Sequence, residues 1–429
     1  MDALINFLER YFMPVAGRIA EQRHLKSIRD GIVATMPLLL IGSFFLIIAF
    51  PPVPALEALV KPYVNDLLKI VNATFDIIAM VASFSIAYSL AGSYKLDGLA
   101  AGVLSLSTFM LSVPLTKDGN IPLQWMGSQG LFVAMIIAIF AVEVQRKFVE
   151  KNLIIRMPEG VPPSVGRAFA SLIPGAFIIT SVWIIHMILI KTINLTIPEA
   201  INKLIAIPLM KLGSTLPAVI LAILAIQLLW SVGIHGAALV GGILGPIWIT
   251  FTQQNAAAKM AGEQILPNIV TQQFFDIFIY IGGSGTTLAL AILLVFATKS
   301  AQLKAVGKAA IWPGIFNINE PITFGMPIVM NPVMIIPFIL APIAAGLITY
   351  FAMALNLVAR PYALIPWTTP VLISGFLTTG DWKAIILQII NFVVAGAIYY
   401  PFLKLWDNKK YEEEQQLKKE EEKLAETKA

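Results

Sequence analysis

The 429-residue chain is 58% hydrophobic and only 13% charged, with a mean hydropathy of +0.80, which excludes a water-soluble globule of ordinary makeup and leaves a polytopic membrane protein. A net charge of +5 and a pI near 9.2 would point to nucleic acid in a soluble protein, but here Lys and Arg gather in short stretches between apolar runs, as in cytoplasmic loops, so no nucleic-acid partner is expected. The absence of cysteine excludes disulfides, thiolate metal sites and a cysteine nucleophile.

Residues 1–27 lack the basic start and compact apolar core of a signal peptide. Leu4, Leu8, Val15 and Ile19 share one helical face, which predicts an amphipathic helix lying in the membrane interface. Arg18, Arg23, Lys26 and Arg29 then set a cytoplasmic loop. The charge-free run 31–50 crosses outward, a helix near 70–91 returns, and spans near 98–114 and 129–147 lead to the basic stretch "QRKFVEKNLIIRMPEGVPPSVGR". Residues 168–190 form a fifth span, and the Pro-punctuated segment 196–216 reads as an interfacial linker helix. Residues 212–258 carry no Asp, Glu, Lys or Arg, yet "SVGIHGAALVGGILGP" interrupts them with glycines. One long tilted helix or two short ones fit; keeping Lys299, Lys304 and Lys308 inside favours two, turning near residues 233–236.

A span near 275–298 follows, and then two segments broken by Pro and Gly, near 308–332 and 360–380. Both read as re-entrant hairpins, because irregular backbone at membrane depth is tolerated only where protein or a water-filled cavity covers it. Helices near 333–357 and 383–402 complete an all-α polytopic membrane protein of about ten transmembrane helices, two re-entrant hairpins and interfacial amphipathic helices, with both termini cytoplasmic. The halves are expected at 28–195 and 217–405, with a charged tail at 406–429 that is either a solvated helix or disordered.

One stretch stands out. In "FNINEPITFGMPIVMNP", Glu320 is the only charged residue between Lys308 and Arg360. A lone acid at the bilayer centre costs roughly 3 kcal/mol or more, so it either caps a half-helix or lines a cavity at the tip of a broken one. With Asn317 and Asn319 it offers donors and acceptors in a small volume, which suits a polyhydroxylated ligand better than an ion. Trp367, Trp312 and Trp230 are candidates for an apolar face against a sugar ring, the alternative being the interfacial aromatic belt. "IGGSGTT" has no P-loop lysine and reads as close helix packing by small residues. Asp76 and Asp276 also sit inside apolar runs, His24 and His186 have no comparable setting, and no spacing suggests a metal site.

"FNINEPITFGMPIVMNP", together with "RHLKSIRDGIVATMPLLLIGSFF", "WSVGIHGAALVGGILGP" and "FFDIFIYIGGSGTTLAL", resembles the membrane IIC component of the bacterial sugar phosphotransferase system, in its lactose/cellobiose/chitobiose branch, over about residues 5–410. The resemblance implies a multi-pass permease of the bacterial cytoplasmic membrane. It is expected to be a homodimer whose amino-terminal half makes the dimer contact and whose carboxy-terminal half holds a β-linked disaccharide of the cellobiose or diacetylchitobiose type, released inside as the 6-phosphate. It further implies that Glu320 of "INEP" and His235 of "GIHG" contact the hydroxyl that receives the phosphoryl group, with Glu320 the first choice to take its proton. The donor would be a phosphocysteine on a soluble IIB protein, fed indirectly by IIA. A chain without cysteine needs that partner as a separate polypeptide and needs no cofactor of its own. Two further classes are carried: an ion-coupled secondary transporter, expected to show more intramembrane acids, and a membrane receptor that binds sugar without moving it.

Overall fold

The structure is a computed structural model and describes all residues except 1–9, 11, 12, 52, 159, 327, 330 and 429. The described chain forms two compact units. The first comprises Arg18–Ser214 with Gly241–Ala257; the second gathers Thr215–Val240 and the chain from Ala258 onward. The change of unit at Ser214 falls inside the expected linker, but Gly241–Ala257 packs with the first unit and not with the expected second half. Glycine eases this packing: a Cβ on Gly242 would lie 3.1 Å from the Arg29 Cβ, a tight contact that bare backbone avoids.

The principal helices of the first unit are α1 (Arg23–Val33), α2 (Met36–Ala49), α3 (Val64–Phe75), α4 (Ile78–Ser93), α5 (Gly98–Ser112), α6 (Leu131–Glu150) and α7 (Leu172–Ile193). Helix α4 is central, packing against α1, α5 and α6. In lipid, apolar burial does not drive helix association, so small residues and buried hydroxyls do more of the work. Ser83 on α4 and Ser105 on α5 share a 2.8 Å hydrogen bond, and Ser85 Oγ donates to the Gly31 carbonyl of α1 at 2.7 Å. Of the expected interfacial helix, Leu4 and Leu8 lie outside the described residues; Met13–Ala20 is helical, with Val15 and Ile19 exposed, and the chain breaks at Glu21 and Gln22 before α1.

The second unit contains α8 (Leu216–Ser231) and the start of α9 (Gly236–Met260), then α10 (Leu288–Ala297), α11 (Ala301–Ile315), α12 (Glu320–Gly325), α13 (Ile335–Ala354), α14 (Ile373–Thr379) and α15 (Lys383–Lys428). Seven helices among the described residues are long and apolar enough to cross a bilayer, or up to eight if a bent pair ending in α8 is one span; α5 and α10 are apolar but short. The expected span at 275–298 is therefore a correction. A π-helical turn, Phe274–Ile279, gives way to non-helical backbone at 280–287, and the 10 residues of α10 reach only about half the bilayer thickness.

The tail is neither disordered nor a separate appendage. It continues α15, and two of its carboxylates cap α11. The backbone N–H groups of Lys299 and Ser300 donate to Asp407 at 2.9 and 3.0 Å, and those of Ala301 and Gln302 donate to Glu414 at 3.0 Å. Both acids satisfy donors that a helix start leaves open, at the positive end of its dipole. Asp407 is fully buried, so Asp407→Ala should cost about 2–3 kcal/mol by stranding these amides, read as a lower unfolding temperature in detergent, while Lys418→Ala should stay within about 0.5 kcal/mol of wild type.

Candidate functional site

Helix α11 ends at Ile315, and the chain reverses through residues 316–319 before α12 runs back along it. A side chain on Gly325, the last residue of α12, would lie 3.2 Å from Val306 near the start of α11. The reversal needs a left-handed residue, and Asn317 supplies it at φ +61°, a region asparagine tolerates better than most side chains. Its amide is fully engaged: Nδ2 donates to the carbonyls of Trp367 (2.7 Å) and Thr369 (3.4 Å), and Oδ1 accepts from Gly282 N–H (2.9 Å). Asn319 is also buried, its Nδ2 donating to Thr323 Oγ1 at 2.9 Å. The Asn317 amide thus ties the reversal to its neighbours, while Asn319 commits only its Nδ2 to Thr323. Glu320, the first residue of α12, is exposed and makes no hydrogen bond or ion pair among the described residues.

The partner of this reversal is the turn at "IGGSGTT", and here the expectation of helix packing is corrected. Gly282, Gly283 and Gly285 all have φ between +86° and +91°. A Cβ on Gly283 would meet the Asn317 carbonyl oxygen and the Asn319 Cβ at 2.7 Å each. Only glycine permits both the left-handed backbone and the approach. The polar groups freed by this break are met from α15. Gln388 Nε2 donates to the Ile277 carbonyl (2.9 Å), Asn391 Nδ2 to that of Phe278 (2.9 Å), and Tyr399 Oη to that of Gly285 (2.7 Å). Gln388 also accepts from Leu372 N–H (2.9 Å) at the head of α14. The second broken segment folds back on itself, the Tyr362 amide donating to the Thr378 carbonyl (3.0 Å) and the Thr378 hydroxyl to that of Ala363 (2.6 Å). The sequence marked these helpers only as isolated amides and a tyrosine in an apolar helix.

His235 lies in the break between α8 and α9, as the glycines implied. It caps α9, with Nδ1 accepting from Ala238 N–H at 3.1 Å. An accepting Nδ1 leaves the proton of the neutral ring on Nε2, and that N–H is what the exposed side chain offers a ligand. The ring stands 4.6 Å from Trp230, which in turn stands 6.3 Å from Phe324. Phe324 is one helical turn from Glu320 and on the same face of α12. Gly233, beside His235, meets Val329 just beyond α12. "GIHG" and "INEP" are therefore linked through the Trp230 and Phe324 rings, with His235 and Glu320 both exposed.

The tryptophans divide. Trp367 is half exposed at the tip that Asn317 grips, whereas Trp230 is 3% exposed and serves as the packing bridge just described. Trp312 is 72% exposed on α11 before the reversal. His24 Nε2 donates to Glu143 Oε1 at 2.9 Å in the first unit, and His186 Nδ1 is buried. Asp276 accepts from Gln272 at 2.9 Å, and Asp76 caps the end of α3. Among the described residues no three acids or histidines cluster as a metal site.

A family profile described as "Phosphotransferase system, EIIC" matches residues 29–342. The cellobiose-specific EIIC component of Geobacillus stearothermophilus is 51% identical over 97% of both chains, and the lichenan permease IIC component of Bacillus subtilis 45% identical over 97% of this chain and 96% of its own. The crystal structure of the transporter ChbC, the IIC component of an N,N'-diacetylchitobiose-specific phosphotransferase system, superposes with a TM-score of 0.92 at 50% identity, covering 95% of this chain and 99% of its own.

Asn317 and Trp312 give a contrast. Asn317→Ala should remove three hydrogen bonds and the left-handed tolerance, costing about 2–4 kcal/mol in thermal unfolding, whereas Trp312→Ala should change stability by less than about 1 kcal/mol.

Proposed function

The chain belongs to the phosphotransferase system EIIC family, and on that premise we propose that it carries a β-linked disaccharide of the cellobiose or diacetylchitobiose type across the bacterial cytoplasmic membrane, coupled to its 6-phosphorylation. The observation that supports this reading is that Glu320 on α12 and His235 at the head of α9 are both exposed and belong to segments linked through Trp230 and Phe324. It supports a division of labour. His235 Nε2–H donates to the oxygen of the acceptor hydroxyl and orients it; Glu320, with no competing partner among the described residues, accepts its proton. The half-exposed face of Trp367 covers a sugar ring. Asn317 and Asn319 act as positioning residues, holding α12 at its angle.

Phosphoryl transfer asks for in-line positioning and little else. The hydroxyl oxygen attacks phosphorus, the bond from phosphorus to the donor sulfur breaks, and the thiolate leaves with the electron pair while the hydroxyl proton passes to Glu320. The donor is a phosphocysteine of a soluble IIB protein, charged in turn by IIA; with no cysteine in 429 residues, this chain cannot supply it. We place both termini in the cytoplasm from the loop charges and assign the homodimer contact to the first unit.

Inside-out reconstitution tests the coupling. Sugar 6-phosphate should form only when phosphoenolpyruvate and the soluble phosphocarriers are supplied; free sugar accumulating on an ion gradient would contradict the proposal. Glu320→Gln should assemble normally and lose at least about 100-fold in phosphorylation, the share of a general base. His235→Asn, which keeps an acceptor for the α9 cap, should show a smaller loss, about tenfold in sugar affinity.

A further inference from the structure

At the other end of the molecule's chemistry, in the first unit, a cavity of about 600 Å³ opens between the start of α1 and the end of α4. Its walls carry Arg23, Lys26 and Arg29 with Ser27 on α1, and Ser89 and Ser93 on α4; Glu21 and Asp30 are its acids. The walls are fixed. Ser85 Oγ bonds the Gly31 carbonyl at 2.7 Å, and a Cβ on Gly31 would overlap Ile86 at 2.4 Å, so α1 and α4 touch just below the opening.

The charges do not cancel. Arg29 and Asp30 pair at 2.8 Å, which leaves Arg23 and Lys26 against Glu21, a net of one positive charge. The Arg23 guanidinium lies 5.1 Å from the Tyr94 ring centroid, held on the α4 side. The Lys26 ammonium and the Ser27 and Ser89 hydroxyls have no hydrogen-bond partner among the described residues. The site therefore presents two cations and two hydroxyls to an anion of charge minus one. A dianionic phosphate monoester would leave uncompensated charge beside Glu21 and Asp30; a phosphodiester would not. The position adds a direction. Arg23 begins a 27-residue span that is apolar enough to cross a bilayer, and Val33, one turn beyond Arg29 and Asp30, is an apolar side chain 58% exposed.

We infer that this cavity binds the phosphodiester of a glycerophospholipid with a hydroxyl-bearing, singly charged headgroup, of the phosphatidylglycerol kind. The phosphate meets Arg23, Lys26 and the two serines, the headgroup hydroxyls donate to Glu21 and Asp30, and an acyl chain lies along Val33. Basic cavities at the cytoplasmic mouth of helix pairs hold lipid headgroups by this chemistry. The site is separate from Glu320 and His235 and uses none of their residues.

The test is native mass spectrometry and thermal unfolding of the purified, delipidated protein, with phosphatidylglycerol, phosphatidylcholine and inorganic phosphate as the three probes. The wild type should retain phosphatidylglycerol in a single saturable position and gain stability from it, with little response to the other two. Lys26→Ala should lower retention about fivefold, one basic residue's share of attraction to an anionic headgroup, and Lys26→Arg should restore it. Because Lys26 is exposed, neither change threatens the fold. Equal retention of phosphatidylcholine, equal retention by Lys26→Ala, or stabilisation by inorganic phosphate without phosphatidylglycerol would each overturn the assignment.

Discussion

A backbone that breaks its helices at membrane depth must find partners for every amide and carbonyl it exposes, and the second unit is organised around that requirement. Three segments break: the glycine turn at 280–287, the reversal at 316–319 and the extended limb at 359–370. They are closed by one another and by α15. Asn317 joins all three, taking a hydrogen bond from Gly282 and giving two to the limb at Trp367 and Thr369. Gln388, Asn391 and Tyr399 meet the carbonyls of Ile277, Phe278 and Gly285 from a continuous helix. Unpaired groups of this kind would cost about 1–3 kcal/mol each, so each of these hydrogen bonds stabilises the broken segments.

Those hydrogen bonds do not involve Glu320. The amide groups of Asn317 and the Nδ2 of Asn319 bond within the fold, while the Glu320 carboxylate has no hydrogen-bond or ion-pair partner among the described residues. His235 follows the same logic in reverse. One nitrogen is spent on capping α9, which fixes the tautomer, and the other is left as a donor. An acceptor and a donor on separate helix starts, held by the Trp230 and Phe324 bridge, suit a hydroxyl group, which needs both. The Asp407 and Glu414 caps extend the same economy to the foot of α11, anchoring the reversal from its far end.

Much of this was legible in the residues, and the failures have physical causes. A lone acid among Pro and Gly marked the reversal, and the glycines of "GIHG" marked the break between α8 and α9, because both signals are local. The turn at "IGGSGTT" was read as helix packing, since small residues serve close helices and left-handed turns equally; only the approach of Asn317 and Asn319 decides between them. An amide in an apolar run signals a partner without saying whether that partner is sugar or backbone, and for Asn317 the fold supplies backbone. The helpers on α15 were invisible for the same reason, their contacts lying more than 100 residues away in sequence. The charged tail was left open between helix and disorder, as nothing in "EEEQQLKKEEEKL" announces that Glu414 would cap α11.

The central claim is that Glu320 acts on the hydroxyl that receives the phosphoryl group. Calorimetric binding of cellobiose and of its analogue lacking that hydroxyl, to wild type and Glu320→Gln, tests it as a double cycle. The account predicts that Glu320→Gln weakens cellobiose by about tenfold and leaves the analogue nearly unchanged, since the contact is already missing. Equal weakening of both sugars would contradict it and make Glu320 a ligand for some other part of the disaccharide.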